Sequence, residues 1–277
     1  MNTKKAVKQD QAREKERLLG QILSAYKSAL VAFSGGVDST YLLSRAVEVI
    51  GPEKVLAITI SSNFTLPGEA EEAEVLARKL QARHGVMQID LLSDQSICSN
   101  PPERCYNCKR YIFEKLLIAA GEHGLEVVLD GSNADDPADH RPGLRALKEL
   151  DIASPLLEAG LSKEEIRELS RMAKLPTWNK PSAACLASRF PYGEELTAGK
   201  LERAALAEQY LRQAGIKQEL RIRCHGDIAR IEVNRSEFKL VLDHKDDLVK
   251  KLKELGFVYI TLDLSGFKSG SMNNTIK

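Results

Sequence analysis

Two sets of residues in this chain have the types and spacing to do chemistry. The first is Ser34-Gly35-Gly36-Val37-Asp38-Ser39, followed by Thr40. Its glycines let backbone N–H groups approach an anion without an intervening Cβ. The hydroxyls of Ser34, Ser39 and Thr40 add donors, and Asp38 can hold Mg²⁺ or orient a phosphate. The lysine of G-x-x-x-x-G-K-[ST] is missing and so is G-x-G-x-x-G, which argues against a γ-phosphate-hydrolysing P-loop and against a dinucleotide fingerprint. The second set is Cys105 and Cys108, spaced C-x-x-C, with Cys185 far along the chain. Arg104, Lys109 and Arg110 beside the pair, and a helix expected to begin at about residue 107, favour thiolates there.

Four chemistries fit that pair. A zinc site needs four ligands, and no second CxxC or HxxxH accompanies it. A thioredoxin-like redox pair would follow the first strand, a place the glycine loop already takes. Two small buried residues are the structural alternative. An iron–sulfur cluster on Cys105, Cys108 and Cys185 uses the third cysteine's place in an irregular loop beside Lys180 and Arg189. Three thiolates on a four-iron cube leave one iron open for a substrate or an additional sulfide. Cys98 and Cys224 read as spectators. Arg221 and Arg223 fall on one face of a strand by period-two alternation. They form either a solvated strand face or a pair of guanidinium forks suited to a phosphate.

The elements that must carry these residues alternate. Short apolar runs at 29–33, 54–60, 86–92 and 126–131 read as strands, and 5–28, 39–50, 67–82 and 107–120 as helices. Continuously apolar strands between helices predict an α/β fold with a doubly wound, mainly parallel sheet covered on both faces. The glycine loop then joins a strand to a helix, where amides and helix dipole bind an anion together. Ser61, just past the second strand, and Gly131, just past the fourth, lie at the same carboxyl edge and are counted with the nucleotide-binding residues. A further strand is expected at "ASPLL" (153–157). A helix follows at 162–173, with Ser162 and Glu165 as a capping box.

The stretch 175–193 is long, irregular and rich in Pro and Ala, as functional loops or linkers are. After it the grammar changes to helix 197–214, two strands joined by a short "GD" turn, helix 236–255 and strand "VYITLDL". That is a hairpin-containing α+β unit. The boundary is placed near 190, giving domains 1–190 and 191–277.

Bulk composition narrows the partners. With 277 residues and a net charge of +1 there is no global basic field, so nucleic acid is not the expected partner. No apolar run approaches a membrane span, and the charged first twenty residues lack a signal-type apolar core. The expectation is a cytoplasmic protein.

The hexapeptide SGGVDS resembles the PP-loop of the N-type ATP pyrophosphatases, which split ATP between the α and β phosphates and adenylate an oxygen. With a CxxC and a third cysteine it is similar both to tRNA thiolases and to the LarE family of sulfurtransferases, which act in nickel-pincer nucleotide synthesis. The segments "HRPGLRALKEL" (140–150), "WNKPSAACLASRFPYG" (178–193), "RIRCHGDIARIEV" (221–233) and "GFVYITLDLSGFKSGSMN" (256–273) resemble the LarE family. A tRNA thiolase would show a more basic surface. A non-catalytic nucleotide binder would show a degraded loop.

The LarE resemblance implies ATP and Mg²⁺ as cosubstrates and a pyridinium-3,5-biscarboxylic acid mononucleotide as substrate. A carboxylate of it is adenylated and then converted to a thiocarboxylate. Single-cysteine members give up their own cysteine sulfur, leaving dehydroalanine; three-cysteine members use a [4Fe–4S] cluster. Cys105, Cys108 and Cys185 match the cluster form, with sacrificial transfer from Cys185 as the alternative. The resemblance adds Lys109, Asp136 and Glu232 to Arg189, Arg221 and Arg223 as substrate-binding residues. It also implies a homo-oligomer, a hexamer being the size it suggests. The source of sulfide is left open.

Overall fold

The computed structural model describes residues 2–136, 142–181 and 184–268. His140, Arg141, Ser182, Ala183 and the terminal "SGSMN", all within the family-like segments, lie outside the described residues. In chain order the elements are α1 (Asn2–Ser24), β1 (Ala29–Ala32), α2 (Val37–Ile50), β2 (Val55–Ser62), α3 (Glu69–Lys79), β3 (Arg83–Ile89), α4 (Gln95–Cys98), α5 (Arg104–Glu122) and β4 (Val127–Leu129). There follow α6 (Pro142–Glu149), α7 (Pro155–Glu158), α8 (Lys163–Met172), α9 (Ala198–Gln213), β5 (Leu220–His225), β6 (Ile228–Val233), α10 (Phe238–Asp243), α11 (Lys245–Glu254) and β7 (Tyr259–Leu262).

The chain divides into two compact units. One comprises Met1–Ser62, Gly68–Ile89 and Cys105–Lys180; the other comprises Asn63–Pro67, Asp90–Arg104 and Pro181–Lys277. In the first, four parallel strands pair in the order β3-β2-β1-β4. Side chains alternate along these strands, which is why β1, β4 and the first half of β2 are apolar throughout, whereas the edge strand β3 is not. Ala29, Val31, Val55 and Ala57 join Leu19, Leu42, Leu43 and Ile166 on one face. Leu30, Leu56, Ile58 and Val128 join Phe113, Leu116 and Leu147 on the other. Helices therefore cover both faces, as the continuous patterning requires.

The second unit carries a three-stranded sheet in the order β5-β6-β7, with β5 and β6 antiparallel and β6 and β7 parallel. Leu220, Ile222, Cys224, Ile231 and Val233 are buried there, as are Leu201, Ala204 and Leu211 of α9. Among the described residues no helix is long and apolar enough to cross a membrane.

Several boundaries differ from the sequence expectations. "ASPLL" is not a strand: Ala153 makes one isolated parallel bridge to Leu129, and helix α7 begins at Pro155. Proline has no N–H for a ladder, and its fixed φ suits the first helical position. Strand β3 ends at Ile89 because the Asp90 carboxylate accepts the Leu92 N–H at 3.0 Å and starts a 3-10 turn. Helix 236–255 is broken at His244 into α10 and α11. Helix α5 begins at Arg104, three residues earlier than expected. The capping box of Ser162 and Glu165 is present as expected.

Candidate functional site

The glycine loop leaves β1 at Phe33 and enters α2. Gly35 has φ +66°, a backbone that an L side chain rarely adopts, and Gly36 forms the N-cap of α2 with extended backbone. No side chain caps this helix, so its first-turn N–H groups keep their capacity for an anion. The serines organise the loop: the Ser34 and Ser39 hydroxyls are 3.1 Å apart, Ser39 Oγ accepts from Ser34 N, and it lies 3.3 Å from Gly36 O as a donor. Thr40 is fully buried and its hydroxyl has no hydrogen-bond partner. Ser61 is half-buried near the end of β2.

Gly131 follows β4 on the same edge of the sheet. A Cβ there would meet Ser39 N at 3.3 Å and Ser39 Cα at 3.4 Å. The absence of a side chain is therefore what lets the two loops approach.

Asp38 is paired through Oδ2 with Lys163 of α8, while its Oδ1 is buried and has no hydrogen-bond partner. Burial pushes its carboxyl above the ordinary range even though Lys163 opposes the shift. An under-compensated buried carboxylate oxygen fits a hard cation such as Mg²⁺, which binds through one or two carboxylates plus phosphate. Lys180 is also at the loop, with Nζ 3.3 Å from Gly35 O and 3.0 Å from Glu72 Oε2. Arg167 holds the turn that carries it, donating to Trp178 O and Lys180 O at 2.9 Å each.

On α5, Cys105, Cys108 and Lys109 share one face by i, i+3 and i+4 spacing. Cys105 is exposed and Cys108 half-buried. Lys109 donates to Asp130 Oδ2 at 3.2 Å, and its stem passes so close to Gly143 that a Cβ there would lie 2.9 Å from Lys109 Cδ. Asp130 Oδ1 in turn accepts from Ser132 N at 2.8 Å. A continuous path thus runs from the cysteine-bearing face through Lys109 and Asp130 to Gly131 and Ser39. Asp136 is buried one turn on, where Oδ2 accepts from Asn133 N at 2.9 Å.

In the second unit Cys185 is exposed and caps a 3-10 turn, Leu186–Arg189. Arg189 is fully buried: Nε and Nη2 grip the two oxygens of Glu208 at 2.8 Å each. Arg221 and Arg223 share a strand face as expected, yet that face is buried, not solvated. Arg223 Nε donates to Glu232 Oε2 at 2.9 Å, and Arg221 donates to Leu220 O at 2.6 Å with its guanidinium over the Phe267 ring. Burial, with Arg189 nearby, lowers Arg221 to about 10 and lowers Arg223 as well. Cys98 and Cys224 are buried, and burial pushes the Cys224 thiol up to about 12.

Sequence reasoning missed Lys163, Arg167 and Glu208, and it set Arg104 beside the cysteine pair, whereas its guanidinium is buried on Asn100 Oδ1 and Ala187 O. Lys163, Arg167 and Glu208 reach their partners through the fold, and none carries a local motif. Among the described residues no group of three or more His, Cys, Asp or Glu side chains is gathered to hold a metal ion.

Comparison with known proteins adds an independent line. Residues 14–102 match the NAD synthase family model. The chain is 38% identical over 262 residues to pyridinium-3,5-bisthiocarboxylic acid mononucleotide synthase of Lactiplantibacillus plantarum, covering 95% of each chain. It is 40% identical over 260 residues to an uncharacterized protein of Synechocystis, covering 93% of this chain and 96% of that one. A Methanocaldococcus jannaschii protein, also uncharacterized, is 30% identical over 243 residues, 88% of this chain and 92% of that one.

Proposed function

The chain belongs to the LarE family, that of the pyridinium-3,5-bisthiocarboxylic acid mononucleotide synthase, and from that membership we propose that it inserts sulfur into a pyridinium-3,5-biscarboxylic acid mononucleotide at the expense of ATP. The observation that carries the reading is the path from the Cys105/Cys108 face through Lys109 and Asp130 to the Gly131–Ser39 approach at the glycine loop.

The loop amides and the hydroxyls of Ser34 and Ser39 bind the ATP phosphates, with Thr40, Ser61 and Gly131 shaping the nucleotide site. Asp38 would hold Mg²⁺, its Oδ2 being paired with Lys163 and its Oδ1 having no hydrogen-bond partner. A substrate carboxylate oxygen attacks the α-phosphorus, the bond to the bridging oxygen breaks, and pyrophosphate leaves. Fixed donors and cations at the developing charge lower this barrier. A sulfur nucleophile then attacks the acyl carbon of the adenylate; the C–O bond to AMP breaks and a thiocarboxylate remains. The family resemblance assigns Lys109, Asp136, Arg189, Arg221, Arg223 and Glu232 to the mononucleotide; of these Lys109, Asp136, Arg221, Arg223 and Glu232 are kept as its ligands, while Arg189, with no exposed surface, is held on Glu208.

Cys105, Cys108 and Cys185 would hold a [4Fe–4S] cluster, which when bound supplies sulfide as the nucleophile. The donor chemistry supports this: these are the three cysteines with solvent access, while Cys98 and Cys224 are buried. Cys185, exposed at the cap of its turn, also suits direct attack by its own thiolate. In that course a base takes the Cα proton of Cys185, the Cβ–S bond breaks, and the sulfur leaves with the acyl group as a thiocarboxylate while the residue becomes dehydroalanine. We place the enzyme in the cytoplasm as a homo-oligomer.

The test is anaerobic incubation with ATP, Mg²⁺ and the mononucleotide. A sulfur-for-oxygen mass exchange in the product, with AMP and pyrophosphate formed, is expected. Thiolation of tRNA with no change in the mononucleotide would overturn the reading. Iron content and the mass of the Cys185 peptide after turnover separate cluster from sacrifice.

A further inference from the structure

Three guanidiniums converge on the turn that follows Cys185. Arg189 Nη1 donates to Ala184 O at 2.6 Å and to Cys185 O at 3.1 Å. Arg104 Nη1 donates to Ala187 O at 3.0 Å, and Arg223 Nη1 to Ser188 O at 2.9 Å. Four carbonyls of one short segment, 184, 185, 187 and 188, are therefore held by three arginines, none more than 4% exposed. Each arginine is itself fixed. Arg189 is forked on Glu208, whose Oε1 also accepts Ile222 N at 2.9 Å. Arg104 bonds Asn100 Oδ1 and faces the Tyr192 ring. Arg223 is paired with Glu232.

We propose that Arg104 and Arg189, with Glu208 behind them and Arg223 adding its bond to Ser188 O, are positioning residues that form a rigid mount for Cys185, and that the Arg189 guanidinium does not bind the substrate. The inference rests on Cys185 delivering sulfur or holding what delivers it.

A buried ion pair is a weak source of stability, because an apolar replacement of similar shape is often as stable. What a guanidinium supplies is direction: its planar fork accepts partners only at set angles, so four carbonyls held this way fix the turn. A nucleophile that must meet an acyl carbon gains most from such placement, because a small displacement near the reacting atoms costs on the order of 10²-fold in rate. Arg189 also has no donor left for a substrate phosphate. Arg189 has no exposed surface, and its Nε, Nη1 and Nη2 all donate to protein acceptors.

The experiment compares the full-length wild type with Arg189→Lys and Arg104→Lys. Pyrophosphate release should stay within about twofold of wild type with an unchanged KM for the mononucleotide, while thiocarboxylate formation falls on the order of 10²-fold. A raised KM for the mononucleotide with pyrophosphate release lost in parallel would make Arg189 a substrate ligand and sink the mount. Amide exchange in the wild type gives a second readout that needs no variant. The Leu186 and Ser188 amides, bonded to Phe64 O and Cys185 O, should exchange only as slowly as the core of this unit; exchange at loop rates would overturn the proposal. Where Arg189→Lys does not fold, Arg189→Met with Glu208→Leu removes the pair without stranding a charge, and the same loss of thiolation alone is expected. Wild-type activity in Cys185→Ala would instead sink the sulfur reading, leaving the exchange result to stand separately.

Discussion

The Lys109 ammonium lies 3.2 Å from Asp130 Oδ2, and this single pair ties the helix face bearing Cys105 and Cys108 to the strand end that approaches the glycine loop. Lys109 is a third exposed, so the pair adds little to stability, roughly 0.5 kcal/mol. Its value is placement. Lys109→Met keeps the stem against Gly143 and removes the charge; thiolation should fall by about tenfold to a hundredfold with a melting temperature near wild type. Thermal melting and product mass spectrometry on one preparation check both halves.

Gly131→Ala tests the approach itself. The added Cβ would press on Ser39 N at 3.3 Å and Cα at 3.4 Å, backbone atoms of the first turn of α2 that cannot swing away. The loop must shift by a few tenths of an ångström, so the KM for ATP in a pyrophosphate-exchange assay should rise by about tenfold. An unchanged KM would mean that the two loops do not act as one site.

Much of this arrangement is legible in sequence, and the rest has a physical reason for being hidden. The sheet is readable because parallel strands buried on both faces must be almost wholly apolar, as Ala29–Ala32 and Val55–Ile58 are. The loop is readable because Gly35 and Gly36 answer a local backbone demand. Lys163 with Asp38 and Lys180 with Gly35 span 125 and 145 residues, and a lysine bound for a distant partner looks like any surface lysine. Arg221 and Arg223 could be placed on one face by alternation, but not inside the protein, since the carboxylate that permits burial, Glu232, comes from the neighbouring strand. The early start of α5 was hidden by its polar first turn. Pro155, by contrast, was a signal in plain view against a strand.

Asp38 makes a pH prediction. Its folded pKa is raised by burial, so it contributes stability below its unfolded pKa and loses that contribution as pH rises through the folded value. Without nucleotide, Asp38→Asn should therefore melt about 2 °C above wild type at about pH 7, with the gap closing toward about pH 4. The same variant should lose on the order of 10²-fold or more of its Mg²⁺-dependent pyrophosphate release. A melting temperature below wild type at neutral pH would show that the Lys163 pair outweighs desolvation.

The buried cysteines provide the opposite control. Cys224 is wholly buried with a thiol pushed up to about 12, so it is neither nucleophile nor ligand at neutral pH. Cys224→Ala should cost about 1 kcal/mol of stability through the small cavity it leaves and should keep wild-type iron content and thiolation. Loss of iron in that variant would remove Cys185 from its place as third ligand.

Arg167 and Lys180 allow the phosphate end to be tested without touching the loop. Arg167 donates to the carbonyls of Trp178 and Lys180, and the turn so fixed delivers the Lys180 ammonium to Gly35 O. If that ammonium stabilises the pyrophosphate leaving group, Lys180→Met should lower pyrophosphate release on the order of 10²-fold. Arg167→Lys reaches one carbonyl at most and should give a smaller loss, about tenfold, while Lys180 keeps its charge. The two residues act through one atom, so the double variant should be no worse than Lys180→Met alone, a departure from additivity expected for groups in a shared network. Additive losses in the pyrophosphate-exchange assay would show that Arg167 acts on something other than the placement of Lys180.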